Sequence, residues 1–451
     1  MATEPAGATD ARDYFFSLAA AMRDLLARDE VFTCEWRGED STFIRFNHGR
    51  VGQSGRVRQL QIEVDLIAGR RHAIGTLSLS GALDADLPPL RDLFAHLRGV
   101  VGATEEDPFL SYNTDPDAAS ERIASAVLPA GGEVVEAIAT RAGGGDLVGI
   151  YAGGDIQRGF ANSLGQRNWH SAESFHLDWS LFDRHGRAAK ASYAGIQWSA
   201  EHLARKMAAA HEDVERLHES ARRLAPGKYR VFFAPAAVAE LMAILAWDGF
   251  GLRGKLTKTS PLLRLQQGNA ALADAVHLTD DIASGAAPAF ERSGFARPAR
   301  IPLVENGRYV ESLVSPRSAM EFGTRTNGAD GDEAPQSLDM AGGELDVEHV
   351  AASLHHGLLV SNLWYLNFSD RPSCRATGMT RFATLWVEHG RVQGPVDAMR
   401  FDDSIYRMLG SNLVGLTRNV DWIADPDTYG WRSCRTARLP GILVDDVAFT
   451  L

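Results

Sequence analysis

Apolar and polar positions alternate in ways that predict helices and strands along the first half of the chain. In residues 11–27 the apolar side chains Phe15, Leu18, Met22 and Leu25 recur at helical spacing, which predicts an amphipathic helix. The pattern then predicts strands at 34–36, 42–46, 59–67 and 72–78, helices at 87–101 and 117–126, strands at 147–152, 159–162, 174–182 and 187–197, and a helix at 200–224. Strands and helices grouped in this order are typical of an α+β fold.

The second half begins with a predicted helix at residues 236–247 that is apolar nearly all round, as a buried helix is. Residues 250–261 are predicted as a loop and 278–290 as a connection. Strands at 301–305 and 309–314 flank Asn306-Gly307, a strong hairpin signal. Further predictions are a short helix after Ser315, a loop at 324–337, helices at 346–356 and 402–409, and strands at 364–368, 382–387, 439–444 and 448–451. We place a domain boundary near Leu224, giving domains 1–224 and 225–451.

Composition and charge exclude several classes of protein. The chain is 45% hydrophobic and 23% charged, which is ordinary for globular domains. It has neither an 18-residue apolar run nor a signal-like first segment, so we expect a cytoplasmic protein with no membrane partner. Three widely spaced cysteines do not form a disulfide framework. The net charge of −12 and the lack of a basic run make nucleic acid an improbable partner.

One C-terminal stretch, residues 362–401, carries a family resemblance. It places Thr377-Gly378, an aromatic strand, the turn Glu388-His389-Gly390 and Gly394-Pro395-Val396 in the order found in the TldD/PmbA family. Similar motifs occur at Glu39-Asp40-Ser41, Asn162-Ser163-Leu164-Gly165, Val304-Glu305-Asn306-Gly307 and Arg317-Ser318-Ala319, so that the chain resembles this family over residues 12–451. The resemblance implies an N-terminal α/β domain with a mostly antiparallel sheet and a C-terminal β-rich, barrel-like domain.

The resemblance also implies a two-subunit metallopeptidase complex. In such pairs one subunit binds zinc through a His-Glu-x-x-x-His helix and a C-terminal cysteine, whereas the other subunit lacks the histidines. The corresponding helix here, residues 236–247, contains Glu240 and no histidine, and zinc needs three or four converging ligands. The chain therefore resembles the PmbA/TldE-like members that lack the zinc motif. Cys434 stands near the family's cysteine position and is interpreted as a packing residue.

We predict no catalytic residue and no metal site in this chain, and we expect zinc in a partner subunit. His211, Glu215 and His218 share one helix face that could hold a metal, but a solvated charged face is the favoured interpretation. His349 and the pair His355-His356 are likewise interpreted as surface residues.

The remaining prediction is recognition of an extended peptide. Sheet edges can bind unstructured peptides as an added strand. The aromatic strands and the loop 324–329 are the candidate lining, with Arg325, Asn327, Trp364 and Trp386 as candidate peptide-binding residues.

Three functions follow from the sequence. The first is the zinc-free subunit of a TldD/TldE-type complex that processes unstructured peptides with a metal-bearing TldD-like partner. The second is a stand-alone or homodimeric enzyme that has abandoned zinc proteolysis in a specialised peptide or natural-product pathway, suggested by Asp248, Arg253, Lys255 and His355-His356. The third is a non-enzymatic peptide-binding protein.

Overall fold

A computed structural model describes residues 8–450 of the protein. The first half of the chain contains helices and strands in the order α1 (Ala8–Arg23), β1 (Glu30–Asn47), β2 (Arg50–Ala68), β3 (Arg71–Ser78), α2 (Leu83–Val101), β4 (Ser120–Ala124), α3 (Gly131–Ala142), β5 (Asp146–Asn162), β6 (Arg167–Phe182), β7 (Ala188–Gly195) and α4 (Ala200–Leu217).

The second half is richer in strands. Its elements are β8 (Gly227–Phe233), α5 (Pro235–Ala246), α6 (Leu252–Leu256), α7 (Leu263–Gln266), β9 (Leu278–Asp280), β10 (Ile301–Glu305), β11 (Arg308–Tyr309), α8 (Pro316–Phe322), β12 (Ser337–Met340), α9 (Val350–Leu354), β13 (Gly357–Asp370), β14 (Arg375–Glu388), β15 (Arg391–Pro395), β16 (Arg400–Ser404), β17 (Leu413–Ala424) and β18 (Thr436–Phe449).

Strands β1 to β7 form one sheet in the order β3-β2-β1-β5-β6-β4, with β7 also paired to β6. All its pairings are antiparallel except that of β4 with β6. Successive side chains of a strand point to opposite faces. On β1 the even-numbered Phe32, Trp36 and Ile44 belong to the cores beneath the helices α1 to α4. The odd-numbered residues therefore lie on the other face, which the second half of the chain covers.

The second sheet contains β8 to β18, and part of it closes on itself. The ring runs β8-β13-β14-β16-β18, and β18 pairs back with β8. Helix α5 packs on β13 and β18, and its side chains Val238, Leu241 and Leu245 are buried in the largest core. The predictions of an α+β fold and a barrel-like C-terminal region are confirmed.

Most predicted elements have counterparts, but one segment was assigned the wrong type and a second one is helical only in its later half. Residues 117–126, predicted as a helix, contain strand β4, which pairs in parallel with β6. Residues 402–409, predicted as a helix, begin as strand β16 on β14 and continue as a π-helical turn at Arg407–Ser411. In both cases a neighbouring strand supplies hydrogen bonds, and that tertiary pairing overrides the local helical pattern.

Smaller differences concern lengths and missed elements. Helix α4 ends at Leu217 rather than at residue 224, and the predicted strand 309–314 is only the short β11. The sequence pattern missed helices α3, α6 and α7 and strands β9, β12, β15 and β17. The predicted helix 346–356 is a 3-10 turn at Val347–His349 followed by α9. The hairpin turn at Asn306-Gly307 is confirmed, with φ of 47° and 68°. The last residue of the predicted strand 448–451 lies outside the described residues, and the boundary near Leu224 stays a prediction.

A long segment of the second half, residues 281–297, crosses the open face of the first sheet, and we name it the crossing arm. The carbonyl of Gly294 accepts hydrogen bonds from Gln166 (2.6 Å) and Asn113 (2.9 Å). Gly294 has φ +85°, and a Cβ there would lie 2.4 Å from the ring of Phe160. Only glycine fits this contact, so the arm sits close against the sheet. Within residues 8–450, no helix combines the length and the apolar composition that a membrane crossing requires.

Candidate functional site

A cleft of about 450 Å³ lies where the crossing arm meets the open face of the first sheet. Its walls come from β1, β5, the arm, and the loops at residues 330–336 and 433–435. Five arginines and four carboxylates line it, namely Arg37, Arg158, Arg292, Arg297 and Arg435 with Glu35, Glu291, Asp330 and Asp332. Arginine carries only hydrogen-bond donors, which suit carboxylates and peptide carbonyls. The cleft is thus a polar, donor-rich groove in an acidic protein.

Arg297 is the most deeply buried of these arginines and organises one wall. Its guanidinium donates to the carbonyls of Gly328 (2.9 Å) and Pro288 (3.1 Å) and forms an ion pair with Asp330. These bonds tie the crossing arm to the loop that follows α8. Two of these contacts restrain backbone carbonyls and the third neutralises the guanidinium charge. Arg297 therefore fixes the shape of the wall and is not a free donor for a ligand.

Glu291 closes a tight turn in the crossing arm. Its Oε1 accepts hydrogen bonds from the backbone N–H groups of Ser293 (2.8 Å) and Phe295 (3.1 Å). Burial is the main cause that raises the pKa of the Glu291 carboxyl to about 7. Near neutral pH the carboxyl is therefore partly protonated. It then neutralises less of the positive charge of the arginines in the cleft.

Arg432 joins the C-terminal loop to the first sheet. It is buried, and its guanidinium donates to Ser41 Oγ and the Gly154 carbonyl (3.2 Å each) and to both oxygens of Ser174 (2.9 Å each). Its backbone N–H donates to Glu39 Oε2 at 3.1 Å. Two residues further along, the buried Cys434 lines the cleft. The Arg432 anchor therefore sets where Cys434 stands.

The zinc site that the family resemblance implies for the metal-bearing subunit does not fit the residues of this chain. Helix α5 offers Glu240 as its single carboxylate and has no histidine. Desolvation raises the pKa of Glu240, and nearby Lys190 opposes this. Around Cys434 the carboxylates Asp330 and Asp332 are paired with Arg297 and Arg435, and within residues 8–450 no carboxylates converge with this cysteine as a group of metal ligands. Helix α5 and Cys434 therefore do not form a four-ligand zinc site, and no chemical step is assigned through such a metal.

The loop residues predicted to bind peptide occupy different settings. Asn327 is engaged internally, because its Oδ1 accepts from the Val314 N–H (2.8 Å) and its Nδ2 donates to the Ser312 carbonyl (2.8 Å) and to Glu311 (3.1 Å). Arg325, two residues earlier, is exposed. Asn327 holds the loop after α8 in place, while Arg325 remains open to another molecule.

The two predicted tryptophans lie at separate positions on the β13–β14 hairpin. Trp386 pairs with Leu358, is partly buried, and packs edge-on against Tyr229 with ring centroids 6.2 Å apart. Trp364 is 51% exposed, with the Arg381 guanidinium 4.2 Å from its ring centroid. The structure does not gather the four predicted residues into one groove, and none of them is among the residues that line the cleft. Their role in peptide binding stays a prediction.

The polar residues that follow α5 have structural partners. Asp248 accepts hydrogen bonds from Thr259 (2.8 Å) and Arg371 (3.2 Å). Lys255 lies 4.4 Å from the ring centroid of Tyr309, and the Arg253 N–H donates to Glu333. These contacts hold the irregular segment between α5 and α7, and they give no support to a separate catalytic site there.

The histidines of α4 do not converge on a metal position. His211 bonds the carbonyl of Arg141 at the end of α3 (2.9 Å), while His218 pairs with Glu215 (3.3 Å). The first contact fastens the partly buried His211 of α4 to α3, and the second lies on the surface.

Sequence reasoning missed the cleft because its residues are far apart along the chain. Arg37 lies on β1, Arg297 on the crossing arm and Arg435 before β18. Each one alone is an ordinary arginine in a polar stretch. The alternation along β1 could have shown that Glu35, Arg37 and Glu39 share a face, but not what covers it.

Comparisons with known proteins agree with this architecture. Residues 226–451 match the family described as PmbA/TldA metallopeptidase C-terminal domain. No curated protein matches. TldE from Thermococcus kodakarensis superposes with a TM-score of 0.77 at 13% identity, covering 97% of this chain and 100% of that chain.

Two further solved structures share the fold. A putative modulator of a DNA gyrase from Thermotoga maritima has a TM-score of 0.74 at 14% identity, covering 97% of this chain and 99% of that one. A second putative modulator of DNA gyrase, from Bacteroides thetaiotaomicron, has a TM-score of 0.69 at 15% identity, with 98% of each chain covered. The family match spans just over half of the 451 residues, and the protein belongs to the PmbA/TldD family.

Proposed function

We propose that this protein is the zinc-free, TldE-like subunit of a TldD/TldE-type peptidase complex, and that it contributes a binding cleft for unstructured peptides to a metal-bearing partner. The observation that carries the proposal is the arginine-lined cleft in a family member whose α5 helix has no histidine. The family description of a metallopeptidase domain and the fold shared with TldE support it.

The chemistry of the cleft suits a peptide main chain. An extended peptide presents a carbonyl acceptor at every residue and a carboxylate at its C-terminus. Arg37 and Arg158 are partly exposed at the wall. Arg37 bonds Glu35 through Nε and Nη2, and Arg158 bonds the Gln157 carbonyl through Nη1, so each keeps further N–H groups that can donate to such oxygens. Main-chain recognition of this kind gives affinity with little dependence on the side chains of the peptide.

A second surface suits contact with a partner subunit. Trp247, Trp364 and Tyr365 are exposed by 65%, 51% and 78%. Arg371 lies over both Trp247 (5.6 Å) and Phe368 (5.3 Å), while Trp364 packs against Tyr365 with ring centroids 5.5 Å apart, so the aromatic residues form two groups at strand β13. Exposed aromatic residues together with arginine are enriched at protein interfaces. We assign these aromatic residues to the partner contact, and Trp364 and Arg325 also remain candidates for peptide contact.

The proposal is tested by co-expressing the chain with a metal-bearing relative from the same genome and following assembly by native mass spectrometry. We expect stoichiometric pairing, and we expect cleavage of an unstructured peptide by the pair but not by this chain alone. The double variant Trp364→Ala/Tyr365→Ala should abolish pairing, whereas Arg91→Gln, on the exposed face of α2, should not.

The role of the cleft is tested on the assembled pair. Arg37→Gln with Arg158→Gln should raise KM for peptide several-fold with assembly intact, and Arg91→Gln again serves as the control. Chelator-sensitive cleavage by the purified chain alone would refute the subunit role. Tight peptide binding without turnover by the assembled pair would instead identify a peptide-binding protein without enzymatic activity.

A further inference from the structure

Three histidines from two separate turns converge on the surface of the C-terminal region. His355 and His356 join α9 to β13, and His389 lies in the turn between β14 and β15. Each can offer one ring nitrogen such that these nitrogens all lie within 4.8 Å of one another. Within residues 8–450, no other group of three histidine, cysteine or acidic side chains meets this criterion.

The backbone holds these histidines in place without any ligand. His389 and Gly390 have φ of 51° and 72°, as in a type I′ turn between paired strands. His355 ends α9 with φ 57° and ψ −63°, a combination that is rare outside glycine. The N–H of Gly390 donates to the carbonyl of His355 at 2.8 Å, which fastens the two turns to each other.

The residues beside the pair are fixed by packing. Leu354 is fully buried, and a Cβ on Gly357 would lie 2.0 Å from the carbonyl oxygen of Arg230. His355 and His356 therefore stand on a short rigid stretch between two packed positions. Non-glycine residues with positive φ persist where the surrounding structure imposes them, and they concentrate at functional sites.

The rings are arranged as separate ligands rather than as a stack. The centroids of His355 and His356 are 4.7 Å apart with planes at 80°, and those of His356 and His389 are 4.7 Å apart at 83°. The planes of His355 and His389 meet at 69°. Tetrahedral coordination with bonds of about 2.0–2.1 Å places ligand nitrogens roughly 3.4 Å apart, so nitrogens that lie within 4.8 Å of one another need to close by at most about 1.4 Å. Rotation of surface side chains supplies such a movement.

We propose that His355, His356 and His389 form a binding site for one divalent transition-metal ion of the zinc, nickel or copper type. Neutral imidazole is a preferred ligand for these ions. Three protein ligands leave a coordination position open to water, and His355 and His389 are exposed, so the ion reaches the site from solvent. The bound ion cross-links the β14–β15 hairpin to the start of β13.

This site is independent of the peptidase proposal and of helix α5. The prediction that the chain holds no metal rests on the lack of histidine in α5 and on the interpretation of His355-His356 as surface residues, and this proposal departs from the second point. The three histidines lie on other elements, and two of them are adjacent in sequence while the third follows more than thirty residues later. That separation is why the sequence pattern identified His355-His356 as a surface pair and left His389 out.

The experiment is a titration of the purified full chain with Zn²⁺ and, separately, with Co²⁺ as a spectroscopic probe. We expect one ion per chain by calorimetry and native mass spectrometry, and Co²⁺ visible absorption typical of nitrogen ligands. His389→Asn keeps a residue suited to the type I′ turn, so the fold is retained, and it should weaken binding about 100-fold or more. His356→Gln should have the same effect.

The matched control is His349→Gln. His349 is an exposed histidine seven positions before His356 and pairs with Asp346 outside the cluster. Its replacement should leave the affinity unchanged. The proposal is overturned if no ion binds stoichiometrically, if His389→Asn and His356→Gln bind as the wild type does, or if His349→Gln weakens binding to the same extent. Circular dichroism of each variant confirms that the comparison is made between folded proteins.

Discussion

Replacing Arg432 by methionine removes the main polar anchor between the C-terminal loop and the first sheet. Methionine keeps most of the apolar stem but none of the four guanidinium hydrogen bonds to Ser41, Gly154 and Ser174. The acceptors left behind are buried, and a buried polar group without a partner costs about 1–3 kcal/mol. Glu39 also loses the nearby positive charge. We expect the free energy of unfolding to fall by about 3–5 kcal/mol. This is the usual cost of removing one partner from a buried network of charged groups.

The assay is urea denaturation followed by tryptophan fluorescence and circular dichroism. Arg435→Met is the matched control, because Arg435 is three positions away and forms a half-exposed ion pair with Asp332. Such surface pairs contribute about 0–1 kcal/mol, so this variant should stay close to the wild type. If Arg432→Met is no less stable than Arg435→Met, the anchor described above is not a stabilising contact and the reasoning fails.

Three further outcomes follow from the cleft and the crossing arm. Gly294→Ala places a Cβ at positive φ and against the ring of Phe160, so it should lower the free energy of unfolding by about 2–5 kcal/mol in the same denaturation assay. The control Gly268→Ala also has positive φ but meets open space, so it should cost only about 1–2 kcal/mol. The folded-state pKa of Glu291, about 7, exceeds its ordinary value of 4.5, so the folded protein binds the extra proton between these values. Wild-type stability should therefore fall by about 3 kcal/mol as pH rises from 4.5 to 7, and Glu291→Gln should remove this slope; equal slopes would contradict the burial of that carboxyl. Brief alkylation of the native protein, followed by mass mapping, should label Cys434 in the cleft before Cys374. Burial raises the pKa of the Cys374 thiol to about 12, which makes it unreactive; labelling of Cys374 first would be inconsistent with the cleft as described.

The sequence pattern was sufficient where one local signal determined the structure. The period-two pattern around Trp36 and the apolar face of α1 predicted the first core, and Asn306-Gly307 predicted its turn, because each signal depends on neighbours in the chain. The predictions failed where a distant strand decided the outcome. Residues 120–124 form strand β4 because they pair with β6, and the local sequence contains no signal for that pairing.

The candidate site was harder to predict for the same reason. Arg37 and Arg435 meet across the cleft only after the crossing arm and the C-terminal loop have packed on the first sheet. The aromatic residues of β13 and β14 gave a stronger sequence signal, but aromatic strands serve cores as often as binding grooves. Trp386 is mostly packed inside, while Trp364 is half exposed, and composition alone does not separate the two cases.

The crossing arm makes the two halves of the protein one mechanical unit. Separating the cleft walls would require pulling Gly294 away from Phe160 and breaking its bonds to Asn113 and Gln166 at the same time. Each of these two hydrogen bonds contributes about 0.5–1.5 kcal/mol, and the packing of Gly294 against Phe160 would be lost with them, so the arm resists such a separation. Under the proposed function, a cleft held together in this way would admit an extended peptide and exclude a folded protein, so a substrate would have to be unfolded before it reached the cleft.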